Sequence, residues 1–580
     1  MVADCDARPQ DFQDSLRVSI VRNYTVETMV PLLKHHCYLA HLRPDVLVGD
    51  YDNIAQDLLD GNSNVYRHQP DIILISWLLE HLDAHCSRSD WNAEAAGRLI
   101  ALALHGAISN SRALIAVSTL LPPLYSENGL AAGVYHDHRV TKVDELNRTI
   151  RRVAADHPGQ VFVIDAERLI RRIGEDSAID KRFWQMYRAP FKRAFVDHYA
   201  AHVLRIGRAL KGRARKLLVL DCDNTLWGGV VGEDGLDGIV LDPHDYPGRC
   251  FVAFQQSVLN LIQHGVVVAL CSKNNEQDVW EVLDRHPHCL LKREHLSAWR
   301  INWNPKADNI RELTRELNLG LDSVVFVDDS DTECELVHRQ LPEVLVLQTP
   351  ADPSDLPDIV VRDGLFDSLT VSKEDRERTV MYAAERSRDV AKLTATAPEE
   401  YLAALGLEAD VHRASPDELA RVAQLVAKTN QFNLTTRRHS EAVIRDFASS
   451  DQSAVFTLTA ADKFGSLGLV GVLVARRHAE VVSIDSLLLS CRALGRSLEV
   501  FFVHRVLDEL EGTWEVSEWQ TSYEPTAKNG QVEQFWDRLG FTQVPSAGGG
   551  KHYLLPATSR VVPPLEFINP LSASRSRNIS

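Results

Sequence analysis

The chain has 580 residues, of which 45% are apolar and 25% are charged. This is the composition of an ordinary folded protein, so it excludes a fibrous repeat and a mainly disordered chain. The formal net charge of −17 repels phosphate backbones and anionic lipids, so we expect neither a nucleic acid nor a membrane as partner. The length favours three domains over one.

The amino terminus and the cysteines bear on the cellular compartment. Residues 1–17 lack the apolar core of a signal peptide, and no apolar run is long enough to span a bilayer. We therefore expect a cytoplasmic protein. The nine cysteines are scattered and include no C-x-x-C pair for zinc or redox chemistry, so each thiol must be considered individually.

The first third of the chain alternates short apolar runs with helical stretches. Runs typical of buried strands lie at 18–21, 71–76, 113–117 and 161–165. This rhythm predicts a parallel α/β layer over residues 1–210. A helix is predicted from Phe191 to Leu210, and Gly212 would end it.

A second α/β unit is predicted over residues 211–365. Its strands at 216–220 and 323–327 run into Asp221 and into the pair Asp328-Asp329. Between these two strands, apolar residues at helical spacing from 251 to 262 precede a strand at 266–270. The carboxyl ends of parallel strands, where these acids would lie, are the usual ligand-binding edge. The rest of the chain is predicted as a helical linker at 366–400, a third α/β domain at 401–560 and a flexible tail at 561–580.

The run from Asp221 through Cys222, Asp223 and Asn224 to Thr225 is similar to the D-x-D-x-T signature of haloacid-dehalogenase (HAD) phosphotransferases. An aspartate at a strand end can attack phosphorus and form an aspartyl phosphate. Asp223 is then placed to protonate the leaving group and later to activate water.

Four further residues would complete such a site. Ser272 supplies a hydroxyl and Lys306 a cation for the phosphoryl oxygens. Mg²⁺ is expected because two anions do not approach one another without a cation between them. The metal ligands would be Asp221, Asp328 and Asp329, with Asp223 contributing its main-chain carbonyl. Each fragment alone is also explained by a turn, a cap or a surface charge, but the ordered set favours an active site.

Longer runs narrow the resemblance to one branch of this superfamily. The chain resembles the FkbH-like proteins, and the similarity extends over nearly all of it. The runs that carry it are residues 221–235 (DCDNTLWGGVVGEDG), 272–275 (SKNN), 302–303 (NW), 428–433 (KTNQFN) and 490–496 (SCRALGR).

The resemblance implies an activity. FkbH-like proteins dephosphorylate the glyceryl unit of 1,3-bisphosphoglycerate and load it as a thioester onto the phosphopantetheine arm of an acyl carrier protein for polyketide assembly. Such a chain would have Mg²⁺ as cofactor and the carrier protein as partner. Two alternatives stay open, namely a plain HAD phosphatase acting on a soluble metabolite and a non-catalytic protein that docks carriers.

The resemblance also implies an architecture of three domains. The first would be SGNH-hydrolase-like or flavodoxin-like, the second a HAD-type doubly wound parallel sheet, and the third a mixed α/β domain like the GNAT acyltransferases. Arg22-Asn23-Tyr24-Thr25 stands where a hydrolase would carry its Gly-Asp-Ser block, and Asp197-His198 lacks the Asp-x-x-His spacing. We therefore expect a docking or structural role for the first domain.

In the third domain, the segment from Arg492 through Gly495 and Arg496 to Ser497 resembles the turn with which GNAT folds hold a pantetheine-linked phosphate. A helix C-cap explains such a segment equally well. Cys491, directly before this turn, is the first candidate for a thiol that carries the acyl group, because the neighbouring arginines would lower its pKa. Cys222 and Cys271 are less favoured, and a structural role for Cys491 remains an alternative.

Overall fold

The computed structural model describes residues 12, 14–88, 90–123, 125, 128–133, 138–369, 388, 398–490, 493–526, 528–545, 550–560 and 568–571. The chain divides into two compact units, which are described separately. Unit 1 comprises residues 1–211 with 440–443, and unit 2 comprises residues 212–439 with 444–580.

Unit 1 contains a five-stranded sheet in which all paired strands are parallel. The strands are β1 Asp14–Arg22, β2 Leu42–Tyr51, β3 Ile72–Ser76, β4 Leu114–Ser118 and β5 Val161–Ile164. Every residue of β3 and β4 is buried, as expected for parallel strands covered on both faces. The strand order β2-β1-β3-β4-β5 is the flavodoxin-like order. The parallel α/β layer predicted for this part of the chain is therefore present.

The connections of this sheet are helical. The helices are α1 Met29–Leu39, α2 Ile54–Leu59, α3 Asn64–Arg67, α4 Leu79–Leu82, α5 Glu94–Asn110, α6 His138–Asp156, α7 Ala166–Ile173, α8 Glu175–Ala178, α9 Lys181–Tyr187 and α10 Arg193–Leu210. The last of them corresponds to the predicted helix. Gly212 follows it with a φ of +66°, a left-handed conformation that glycine adopts without a steric penalty.

Unit 2 begins with a second five-stranded parallel sheet. Its strands are β6 Leu217–Leu220, β7 Val267–Ser272, β8 Ala298–Ile301, β9 Val324–Asp328 and β10 Leu345–Gln348. The order β10-β9-β6-β7-β8 is the doubly wound order of Rossmann-type sheets. Alternate side chains of β6 enter two different apolar clusters: Leu218 and Leu220 belong to one, Leu217 and Val219 to the other. Apolar side chains therefore cover both faces of the sheet.

Five helices connect these strands. They are α11 Val231–Gly238, α12 Gly248–Gln263, α13 Glu276–Arg285, α14 Lys306–Glu316 and α15 Asp331–Gln340. In α12, Phe251, Phe254 and Val258 are buried, as the helical spacing of the apolar residues predicts.

The remainder of unit 2 forms a nine-stranded mixed sheet. Its strands are β11 Leu407–Arg413, β12 Phe432–Asn433, β13 Ser453–Asp462, β14 Gly465–His478, β15 Val481–Leu489, β16 Glu518–Tyr523, β17 Thr542–Val544, β18 Lys551–Pro556 and β19 Ile568–Pro570. The accompanying helices are α16 Pro398–Leu405, α17 Leu419–Lys428, α18 Glu441–Ser449, α19 Leu498–Thr513 and α20 Phe535–Arg538. The first residues of α18, 441–443, are assigned to unit 1. Two parallel sheets and one mixed sheet confirm the predicted α/β class.

Two segments differ from expectation or lie outside the described residues. Within the predicted flexible tail 561–580, residues 568–570 form β19, which pairs with the edge of β11. A strand of three residues has no apolar alternation, so the sequence pattern could not indicate it. Most of the predicted linker 366–400 lies outside the described residues. Among the helices that are described, none has the length and apolarity needed to cross a membrane.

Candidate active site

The predicted acids of the central sheet meet at its carboxyl edge. Asp221 follows β6 directly and Asp328 ends β9, and these two strands are paired with Leu220 opposite Val327. Carboxylate oxygens of Asp221, Asp328 and Asp329 lie within 4.8 Å of one another. In-register pairing of two short strands, each followed by an acid, thus produces one carboxylate cluster.

Lys306 lies between two of these carboxylates. It begins α14, its side chain is only 4% exposed, and its Nζ lies 2.5 Å from Asp328 Oδ2 and 3.0 Å from Asp221 Oδ1. Burial opposes the ammonium charge, but the two carboxylates outweigh burial and raise the pKa of Lys306. Lys306 is therefore a permanent cation of this site.

The cluster fits a divalent cation. One ammonium cannot neutralise three carboxylates, and burial together with the charge of Asp328 raises the pKa of Asp221 to about 6, although Lys306 opposes this shift. Burial and the nearby Asp221 also raise the pKa of Asp329. Asp221 Oδ1 is buried and accepts no hydrogen bond, since its contact with Lys306 lacks hydrogen-bond geometry. A buried, incompletely compensated set of hard oxygen atoms is the donor set that Mg²⁺ prefers.

Asp223 lies outside the carboxylate cluster and is fixed by three donors. Its Oδ1 accepts hydrogen bonds from Trp227 Nε1 at 2.9 Å and from the main-chain N–H of Val231 at 3.1 Å. Its Oδ2 accepts one from Asn274 Nδ2 at 2.9 Å. The carboxylate is thus held in one orientation and is not a member of the group formed by Asp221, Asp328 and Asp329.

The turn after Asp223 explains how these donors come together. Asn224 has a φ of +51°, a conformation that asparagine tolerates better than most residues. Its side-chain oxygen accepts a hydrogen bond from the N–H of Gly229 at 2.9 Å. The chain therefore turns back at once, which brings the fully buried Trp227 against Asp223.

Ser272 reaches the same edge from the other neighbouring strand. It is the last residue of β7, it is 1% exposed, and its Oγ accepts a hydrogen bond from Asn274 Nδ2 at 3.2 Å. The predicted residues Asp221, Asp223, Ser272, Lys306, Asp328 and Asp329 thus all lie at the carboxyl edge of one sheet.

Asn274 is a site residue to which the sequence reasoning gave no role. It lies within the run 272–275, but only the structure reveals that its amide links Ser272 to Asp223. The signal in the sequence was an asparagine two residues beyond a strand end, which also describes an ordinary helix cap.

Of the three candidate thiols, Cys222 and Cys271 are described by the structure and are buried. Cys222 is fully buried within an apolar cluster, and burial together with the adjacent Asp221 raises its pKa well above the usual range. Burial likewise raises the pKa of Cys271. Neither environment favours a nucleophilic thiolate. The seven cysteines that are described are all buried and none of them forms a disulfide. Cys491 lies outside the described residues.

The predicted phosphate turn is described only in part. Gly495 has a φ of +74°, Arg496 is 3% exposed, and α19 begins at Leu498. Arg492 lies outside the described residues. The positive φ agrees with the need for glycine at this position.

In unit 1, residues 22–25 stand where a hydrolase would carry its nucleophile, and this segment is part of the core. The Asn23 side chain accepts from the Leu78 N–H at 2.7 Å and donates to the Leu78 carbonyl at 2.9 Å. Tyr24 is buried with its hydroxyl 2.7 Å from Ser76 Oγ. His36 Nε2 lies 2.9 Å from Asp197 Oδ1, so this carboxylate is engaged elsewhere. These contacts are those of a structural segment.

Comparisons with known proteins show a similarity to a solved structure. No protein-family model matches the chain, and no curated protein sequence matches it. A crystal structure of the N-terminal part of the protein BF1531 from Bacteroides fragilis, described as containing a phosphatase domain and complexed with Mg, is 25% identical. The similarity covers 62% of this chain and 95% of that one, with a TM-score of 0.57.

Two acetyltransferases show a slighter likeness. The ribosomal-protein-S18-alanine N-acetyltransferase from Escherichia coli is 12% identical over 26% of this chain and 94% of its own, with a TM-score of 0.21. A spermidine N-acetyltransferase from Vibrio cholerae is 9% identical over 26% of this chain and 97% of its own, also at 0.21. Similarities of this size do not bear on the activity of the chain.

Proposed function

We propose that this chain is a Mg²⁺-dependent phosphatase or phosphotransferase of the HAD type, with Asp221 as its nucleophile. The observation that carries the proposal is the convergence of three carboxylates and a buried lysine at the carboxyl edge of a doubly wound sheet. Its support comes also from the Bacteroides fragilis protein, whose similar structure contains a phosphatase domain and Mg.

Each residue of the site has its own role in the proposed reaction. An oxygen of Asp221 attacks phosphorus, the ester bond breaks, and the leaving oxygen takes a proton from Asp223. Asp223 then accepts a proton from water as that water attacks phosphorus and releases Asp221 and inorganic phosphate. Lys306 and Ser272 hold phosphoryl oxygens throughout. Asp221, Asp328 and Asp329, with the main-chain carbonyl of Asp223, would hold Mg²⁺, which would supply the positive charge that lets two anions approach.

We further propose that phosphate removal serves acyl transfer. In this proposal the substrate is 1,3-bisphosphoglycerate, and the glyceryl group passes to the phosphopantetheine thiol of an acyl carrier protein for polyketide assembly in the cytoplasm. The acyl phosphate is already activated for attack by a thiol, and the remaining phosphate ester suits the Asp221 site. Support comes from the resemblance to FkbH-like proteins along nearly the whole chain.

A plain phosphatase acting on a soluble metabolite is the second candidate. The complete set of Asp221, Asp223, Ser272 and Lys306 at one sheet edge favours it over a non-catalytic docking protein, because a docking protein needs no buried nucleophile.

Replacement of the nucleophile tests the phosphatase. We expect Asp221→Asn to lower phosphate release at least about a thousandfold, because the substitution removes the nucleophilic charge while it keeps the shape. Phosphate release from a general aryl phosphate and from 3-phosphoglycerate is the measurement. Asp284→Asn, an exposed aspartate of α13, is the control and should keep full activity. Normal turnover by Asp221→Asn refutes the assignment.

Carrier loading tests the transferase. The protein is incubated with Mg²⁺, 1,3-bisphosphoglycerate and a phosphopantetheinylated carrier protein, and the carrier is weighed by mass spectrometry. A glyceryl adduct supports transfer, whereas phosphate release without an adduct leaves the phosphatase alone. Cys491→Ala should abolish the adduct and spare phosphate release if that thiol carries the acyl group. Normal loading by this variant removes Cys491 from the proposal.

A further inference from the structure

The helix α9 Lys181–Tyr187 of unit 1, which is described throughout, has no buried residue. Its side chains Phe183, Met186 and Tyr187 are 48%, 53% and 56% exposed. The spacing i, i+3 and i+4 places these three residues on one face of the helix. A stripe of large apolar residues normally packs against a core, whereas the stripe of α9 is exposed.

Aromatic contacts hold the exposed side chains together. The rings of Phe183 and Tyr187 meet edge to face, with 5.4 Å between their centroids. Lys181 Nζ lies 5.9 Å from the ring centroid of Tyr125, which is also exposed. Tyr125, Phe183, Met186 and Tyr187 are called the apolar patch from here on. Large apolar side chains that are exposed as a group mark an interaction site, whereas single scattered ones do not.

The main chain at the two ends of α9 is fixed. Before the helix, the Asp180 N–H donates to the carbonyl of Pro190, which follows the helix, at 2.7 Å. Beyond the end of β1, the Thr25 N–H donates to the Arg188 carbonyl at 3.0 Å. Compact surface loops whose ends lie close together are often functional. Because such a segment is already ordered, it loses little conformational freedom when a partner binds.

Cations accompany the apolar patch. From residue 181 to residue 193 the sequence contains five basic residues and no acidic one. All five are exposed, namely Lys181, Arg182, Arg188, Lys192 and Arg193. This local excess is opposite in sign to the net charge of −17 of the whole chain. An apolar surface that carries cations attracts an anionic partner and steers its approach.

The charges distinguish between possible partners. In a two-fold dimer, a second copy of this chain would bring the same cations against one another. An anionic membrane would repel a chain whose net charge is −17. A phosphopantetheinylated carrier protein presents a phosphodiester at the point where the arm joins its surface, so an anion and a protein surface lie side by side. The carrier protein is therefore the partner that the charges favour.

We propose that α9 and the apolar patch form the surface of unit 1 on which the carrier protein docks. The inference rests on the carrier loading proposed above, because that reaction supplies the partner. Arg182 and Arg188 bind the phosphodiester, and the apolar side chains of α9 enter a groove of the carrier. This contact positions the carrier and takes no part in the chemistry at Asp221.

Binding of the carrier protein to the full chain tests the proposal. Fluorescence anisotropy measures the Kd of the phosphopantetheinylated carrier of the loading assay, in EDTA and without substrate. We expect Arg182→Glu and Met186→Ser each to raise this Kd about tenfold or more, because each removes a contact at the centre of the surface. Added salt should weaken the binding by the wild type. An unchanged Kd in both variants, or no binding of the carrier by the wild type, overturns the proposal.

Matched controls separate docking from a general effect of the substitutions. Arg152→Glu in α6 and Leu102→Ser in α5 make comparable changes at exposed positions of unit 1 and should leave the Kd unchanged. Circular dichroism checks that each variant is folded. Equal losses of binding in the controls and in the α9 variants contradict the assignment of the surface.

Two further measurements cover the other partners. Sedimentation velocity detects self-association, and co-sedimentation with phosphatidylserine-containing vesicles detects lipid binding. Self-association or vesicle binding that Arg182→Glu abolishes, while the carrier still binds this variant normally, assigns the surface to that other partner and overturns the proposal.

Failure of docking and failure of glyceryl transfer give different results. A glyceryl adduct on the carrier, together with an unchanged Kd in Arg182→Glu and Met186→Ser, supports the transfer and removes the docking surface. Carrier binding that both variants lose, without any adduct in the wild type, supports the docking surface and removes the transfer. Phosphate release from an aryl phosphate should be the same in the wild type and in both variants, since α9 takes no part in that reaction.

Discussion

Asn274 connects two residues of the candidate active site that have different tasks. Its amide donates to the hydroxyl of Ser272 and to the carboxylate of Asp223, and it is 5% exposed. In the proposed reaction Ser272 holds phosphoryl oxygens and Asp223 moves protons. One side chain thus sets the distance between the group that positions the phosphoryl unit and the group that transfers the proton.

Replacement of this amide should slow the reaction without weakening the metal site. We expect Asn274→Ala to lower kcat for phosphate release by about tenfold or more while KM changes little, because a misoriented Asp223 transfers protons less efficiently. The affinity for Mg²⁺ should stay unchanged, since Asn274 contacts the side chain of Asp223, which lies outside the carboxylate cluster. Steady-state kinetics and Mg²⁺ titration are the measurements.

The neighbouring amide provides a matched control. Asn275 is exposed and donates only to Asp278 among its described hydrogen bonds, so Asn275→Ala should keep wild-type kcat. Equal losses in the two variants, or a lower Mg²⁺ affinity in Asn274→Ala, would contradict the positioning role.

The sequence allowed some of these residues to be predicted and not others. Asp221 and Asp328 could be placed at one edge because each follows an apolar run, and parallel strands end on the same side. The contact between Asn274 and Asp223 could not be predicted, because it depends on the turn at Asn224 and on side-chain torsions. The separation of Asp223 from the carboxylate cluster could not be predicted for the same reason.

At the scale of elements, the strands predicted in the two parallel sheets are internal ones, except for β5, which lies at an edge. The runs at 71–76 and 113–117 correspond to β3 and β4, which are fully buried. The strands β2, β8 and β10 were not predicted. All three lie at the edges of their sheets and are only partly buried. β2 and β8 mix polar and apolar residues, so they lack the continuous apolar run that indicates a buried parallel strand. β10 does coincide with an apolar run at 344–347 and was missed.

In the mixed sheet, the contact of one histidine between a strand and a short helix depends on pH. His412 of β11 lies 3.0 Å from Glu418 Oε1 through Nε2 and 2.8 Å from Asp410 Oδ2 through Nδ1. The hydrogen bond with Glu418, aided by Asp410 and opposed by partial burial, raises the pKa of His412 to about 9. The imidazolium thus ties β11 to the 3-10 helix Pro416–Glu418 that precedes α17.

The sign of the resulting pH dependence follows from this shift. A histidine whose pKa is raised in the folded state stabilises the fold. The stabilisation is complete below the pKa of the unfolded chain, about 6.5, and is lost as the pH rises through the folded-state pKa of about 9. We expect the free energy of unfolding in urea to fall between pH 6.5 and 9.5, and His412→Gln should reduce that fall. The effect is modest because His412 is partly exposed.

His478, exposed in β14 of the same sheet, provides the control. His478→Gln should show the pH dependence of the wild type. A pH dependence that is identical in His412→Gln and in the wild type would exclude the ion pair as its cause.

At the scale of the whole molecule, the chain has two compact units, and the carboxylate cluster belongs to unit 2 alone. Separate units with their own cores need not unfold together. We expect differential scanning calorimetry to resolve at least two transitions. Mg²⁺ at a hundredfold excess over its Kd should raise one of them by several degrees and leave the other unchanged, since a ligand stabilises only the unit that binds it.

The shifted transition identifies unit 2. Asp328→Asn removes one carboxylate of the cluster and should abolish the shift caused by Mg²⁺. A single cooperative transition, or equal shifts in both transitions, would contradict the independence of the two units.

Each unit contains buried cysteines whose alkylation can report the opening of that unit. Cys37 and Cys86 lie in unit 1, whereas Cys222, Cys250, Cys271, Cys289 and Cys334 lie in unit 2. Because an alkylating reagent reaches a buried thiol only after local or global opening, pulse alkylation followed by peptide mapping reports when each unit opens. The order of opening can thus be followed in the native sequence, without an engineered probe.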